Sequence, residues 1–116
     1  MVPVIEALET HTGIATRMWG AATHRPTGYP KDLPFLADRN VTLLAVGDSH
    51  TLEWERVTEA TSHAMARDLV LDGWVETTLP ESSMPGMRIR IFRRDDRQRV
   101  MIQNAKLLTL LDTRVE

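Results

Sequence analysis

Two alternating runs, Val41–Val46 and Thr51–Val57, flank the turn formers Gly47-Asp48-Ser49-His50, which commits the middle of the chain to a β-hairpin. A period of two puts successive side chains on opposite faces of a strand. In Leu52-Glu53-Trp54-Glu55 it separates apolar from acidic residues, the pattern of a strand buried on one side. Pairing about a four-residue turn sets Ala45 opposite Leu52 and Leu43 opposite Trp54. On the other face Thr42 meets Glu55, and Leu44 meets Glu53. A lone hairpin is marginal in water, so this one needs further strands or a helix over its apolar side.

The flanking sequence offers both. Val4, Ala7, Leu8, His11, Ile14, Ala15 and Met18 recur at helical spacing, so a helix is expected over Pro3–Trp19. Pro26, Gly28, Pro30 and Pro34 exclude a continuous helix or central strand over residues 21–40. Tyr29, Leu33, Phe35 and Leu36 make that stretch an ordered loop lying on the body. Thr58 as N-cap and Gly73 as a left-handed stop bracket a second helix, about Thr58–Asp72. Its apolar face is Met65, Ala66, Leu69 and Val70.

Beyond it, Trp74–Leu79, Met87–Arg94, Arg99–Asn104 and Leu107–Val115 read as strands. The last also fits a helical stripe through Leu107, Leu108, Leu110 and Leu111, and strand is preferred. A turn at Asp95-Asp96 sets Ile91 against Val100 and Ile89 against Ile102. These four are expected to face the core with Leu43, Ala45, Leu52 and Trp54, and Trp19, Trp54 and Trp74 to anchor it. The expected fold class is α+β: an N-terminal helix, then a β-hairpin, a helix and a C-terminal antiparallel meander, with the helix packed on one antiparallel sheet. At 116 residues and 42% apolar content, residues 1–116 read as a single α+β domain. From Val41 onward the order of paired strands, a helix ending in Leu71-Asp72-Gly73-Trp74, and a meander resembles small helix-grip modules. That resemblance implies a binding role, at the level of fold alone.

The chemistry-bearing residues are sparse. Cysteine is absent, which excludes a disulfide framework, a thiolate metal site and a thiol nucleophile. It also fits a reducing, cytoplasmic setting. A cysteine-free extracellular domain, or one whose targeting segment has been cut away, fits equally well. His11, His24, His50 and His63 show no metal-ligand spacing, and neither a cofactor nor a membrane span is expected. Val46-Gly47-Asp48-Ser49-His50-Thr51 resembles the first block of the SGNH/GDSL esterases, which implies a nucleophilic serine at Ser49. That family's later Asp-x-x-His block is missing, because no histidine has an aspartate three residues upstream. The hairpin-turn reading of Ser49 is therefore preferred, and no catalytic residue is assigned.

Charge is unevenly spread. Residues 1–84 carry 6 Lys/Arg against 12 Asp/Glu, and residues 85–116 carry 8 against 4. The basic excess concentrates between Arg88 and Arg99, where alternation points Arg88, Arg90, Phe92 and Arg94 away from Ile89 and Ile91. Arg88, Arg90, Arg94, Arg97 and Arg99 are accordingly the candidate partner-binding residues. An acidic body with a basic end also suits pairing within the fold or in a dimer. The expectation is a non-enzymatic interaction module recognising a protein partner or itself. Nucleic-acid binding through the 88–99 hairpin is the alternative, and a hydrolase using Ser49 stands third. The nearly neutral to acidic 60–72 helix argues against a winged-helix reading.

Overall fold

The computed structural model describes residues 14–78 and 84–115. Its body is one antiparallel sheet of seven strands: β1 (Ile14–Trp19), β2 (Val41–Val46), β3 (Ser49–Trp54), β4 (Val75–Glu76), β5 (Met87–Arg94), β6 (Arg97–Asn104) and β7 (Leu107–Arg114). Their spatial order is β1-β2-β3-β7-β6-β5-β4. The helix among the described residues, α1 (Glu59–Leu71), connects β3 to β4. Thr58 caps it as expected, its hydroxyl accepting from the Thr61 amide, and Gly73 follows its end at φ 92°.

The fold expected from the sequence is corrected in two respects. The molecule is a mostly β sheet with one described helix, so the α+β description fits only loosely. Of the N-terminal helix expected over Pro3–Trp19, residues 3–13 lie outside the described residues and Ile14–Trp19 is a strand paired with β2. Ile-Ala-Thr-Arg-Met-Trp satisfies both periodicities over six residues. Its alternation of Ile14, Thr16 and Met18 with Ala15, Arg17 and Trp19 wins, because the edge of β2 offers a ladder of unpaired amides and carbonyls.

The second correction concerns which side of the sheet is the core. α1 and the 20–40 loop lie on the face that carries Leu43, Leu52, Trp54, Leu108, Leu110, Met101 and Phe92, all buried. Tyr29 and Leu33 from the loop, and Met65, Ala66 and Leu69 from α1, complete that core. The β5–β6 register is as expected, Ile89 against Ile102 and Ile91 against Val100, but those four residues sit on the opposite face. The core side of β5 and β6 is the arginine side, with Phe92, Arg99, Met101 and Gln103 buried. The β2–β3 register is offset by two residues, because the turn is the two-residue Gly47-Asp48. Gly47 at φ 60° takes the first position of a type II′ turn, and the even offset keeps each side chain on its expected face. Residues 107–114 are a strand, as preferred.

Candidate interaction surfaces

The five candidate arginines do not radiate from a solvated hairpin. They lie along the sheet face that holds α1, and each meets a carboxylate. Arg90 grips Glu76 with two nitrogens, at 3.0 and 2.7 Å, and approaches His63 Nδ1 at 3.3 Å. Arg94 reaches Asp72 Oδ2 and the Asp72 carbonyl, both at 2.9 Å. Arg97 and Arg99 share Asp112: Arg97 donates through Nε and Nη2 to one oxygen, and Arg99 Nε to the other at 2.6 Å. Arg88 is the loosest, 3.9 Å from Glu59 with both side chains exposed. Three of the partners, Glu59, Asp72 and Glu76, belong to the acidic body, so much of the charge asymmetry is neutralised inside the fold.

Register explains the Asp112 cluster. Asp112, Arg99 and Phe92 are consecutive cross-strand neighbours on β7, β6 and β5, so one carboxylate lies between rows of arginines. Arg99 is 4% exposed and Asp112 5%. Arg99 is further held by the Asp32 carbonyl at 2.7 Å and by the Trp74 ring, 4.3 Å from its guanidinium carbon. Arg94 lies 4.7 Å over the same indole. Donating to Asp112 raises the affinity of Arg97 for its proton, and the hydrogen bond from Arg90 holds the Glu76 carboxyl below its ordinary range. Burial pushes the Tyr29 hydroxyl up, against the nearby charge of Arg25. A cleft of about 430 Å³ opens beside this cluster, lined by His50, Trp74, Arg94, Arg97 and Arg99 among others. Its arginines are matched by Asp32, Asp48 and Asp112 in the same lining, so it carries no surplus of positive charge.

Ser49 begins β3 opposite Val46, on the face away from α1. His50, its neighbour, points to the other face, as alternation requires. No hydrogen bond joins the Ser49 hydroxyl to a histidine or carboxylate among the described residues. No group of His, Asp or Glu there has the arrangement of a metal site, and no helix there is long and apolar enough to cross a membrane.

The surface the sequence did not signal is the other side of the sheet. Its middle row runs Ile91, Val100, Leu111, Thr51, Leu44, Thr16 across six strands. Met18, Val46 and Ile102 flank that row. α1 packs on the other side of the sheet, while Gly20 and Asn40, at the two ends of the 20–40 loop, border this face beside Met18, Thr42 and Glu53. Ile91, Val100 and Leu111 are partly exposed, and within the strands of this face the ionisable residues are Glu53 and Arg93. Met18 and Val46 are about half exposed, at 53% and 48%. The clue in the sequence was that β7 is apolar at both parities, with Leu108 and Leu110 on one side and Leu107 and Leu111 on the other. Comparison with protein families, curated proteins and solved structures finds no match to this chain.

Proposed function

We propose that this protein is a non-enzymatic interaction module and that its working surface is the apolar face of the sheet opposite α1. The observation that carries the reading is the run of Ile, Val, Leu and Thr across six strands with two opposite charges on the whole face. The largest contiguous apolar patch on a monomeric protein is typically about 300–600 Å² and is often where it binds something. The basic hairpin supports a nucleic-acid role less well, because all five of its candidate arginines have carboxylate partners. Among the described residues no histidine or carboxylate bonds the Ser49 hydroxyl, which favours a hydrolase less.

The test pairs Val100→Lys with Leu111→Lys in the full chain. A working face gives wild-type protein that either associates with another chain or, when vacant, binds bis-ANS. The lysine pair should abolish whichever signal is seen and leave the far-UV circular dichroism unchanged. Wild-type protein that shows neither signal rejects the reading.

A further inference from the structure

We infer that the occupant of the apolar face is a second copy of this chain, packed sheet on sheet about a two-fold axis that runs along the strands between β3 and β7. The inference rests on the interaction-surface reading above and goes further by naming the partner.

Area is the first argument. Six full strands at about 4.8 Å spacing span ~29 Å, and six residues of strand span ~20 Å. The footprint is therefore about 580 Å² per copy, or ~1,200 Å² for the pair, the lower bound of a stable specific interface.

Self-complementarity is the second. The sheet order divides evenly into β1-β2-β3 and β7-β6-β5, with β4 as a two-residue addition at the end. A two-fold axis along that division lays β7 of one copy over β3 of its partner, β6 over β2, and β5 over β1. In the middle row it sets Leu111 over Thr51, Val100 over Leu44 and Ile91 over Thr16. Two of the three pairings place a large side chain against a small one, which lets stacked sheets interdigitate at ~10 Å. Each contact occurs twice, as an isologous interface demands. Glu53 on β3 and Arg93 on β5 both lie off the axis, so neither meets its own copy, and Glu53 lies over the partner's Thr109.

The experiment uses two full-length variants whose altered residues lie at opposite edges of the sheet, too far apart to pair within one chain. Wild type at 100 µM should run in multi-angle light scattering at roughly 26 kDa, twice the 13.2 kDa chain. Ile91→Lys and Thr16→Glu should each weaken association at least ~30-fold when alone, with unchanged circular dichroism. Mixed, they should recover a heterodimer, because the introduced ammonium of one chain then faces the introduced carboxylate of the other. Variants that stay dimeric alone, or monomers that do not recover on mixing, overturn the axis. A monomeric wild type overturns the dimer. In that event bis-ANS binding that is lost in Val100→Lys/Leu111→Lys leaves the interaction face standing for a different partner, and no bis-ANS binding rejects both.

Discussion

Asp112→Asn should destabilise the fold by about 3–5 kcal/mol, the usual cost of stripping one partner from a buried ion pair. The magnitude follows from how differently the two arginines can respond. Arg97 has a side chain 24% exposed and a second carboxylate, Asp48, 3.8 Å away, so it can turn toward Asp48 and water. Arg99 is enclosed. It is 4% exposed, sits on Trp74 and would keep only neutral acceptors, the Asp32 carbonyl and the new amide oxygen, so its charge would stay buried without a counter-charge. For 116 residues the unfolding entropy is roughly 0.24 kcal/mol per degree, so the loss corresponds to a fall in Tm of about 12–20 °C. Urea titrations followed by circular dichroism at pH 7 measure it. Arg88→Gln is the control, with an expected cost of about 0–1 kcal/mol. Arg99→Met combined with Asp112→Leu should recover most of the loss, because an apolar replacement removes the desolvated charges together. An Asp112→Asn protein within about 1 kcal/mol of wild type would show that the cluster is solvated and the reasoning wrong.

Trp54→Ala should cost about 3–5 kcal/mol in the same titration, since this side chain is fully buried between β2, β7 and the helix layer. Gly47→Val should cost about 1–2 kcal/mol by strain alone: the residue sits at φ 60° and a Cβ there meets nothing within 4 Å. The Glu76 carboxyl titrates lower in the folded chain than in the unfolded one. Its contribution is therefore complete above the unfolded value, near ~4.3, and disappears as pH falls through the folded value. Urea titrations of wild type and Glu76→Gln should differ at pH 7 and converge toward pH 2.

Turn chemistry made the hairpins legible. Asp95-Asp96 between Arg94 and Arg97 fixed the β5–β6 register, and Thr58 with Gly73 fixed the ends of α1. What misled was the choice of face. Ile89, Ile91, Val100 and Ile102 form a stronger apolar stripe than Phe92 and Met101 among arginines, so alternation pointed to the wrong side. The arginine side wins because Asp72, Glu76 and Asp112 neutralise it, and these partners lie 13 to 22 residues away from Arg99, Arg90 and Arg94. Asp112 was the available signal, an acid at an inward position of a leucine strand. Ile14–Trp19 was misread because six residues are too few to separate a period of 3.6 from one of 2, and only pairing with β2 decides it.

The position of β7 has a consequence for how the chain is made. Synthesis finishes the β1–β2–β3 meander and the β5–β6 hairpin before β7 exists, and β7 is the strand that joins them. Until then β3 and β6 each expose an edge of unpaired amides and carbonyls, which is a template for pairing with other chains. Closure must bring together residues such as Leu52 and Leu110, far apart in sequence, so folding belongs in the millisecond-to-second range typical of sheets built from distant contacts. Nascent chains caught in that interval are the ones most exposed to aggregation, and low temperature or slow expression should raise the soluble yield.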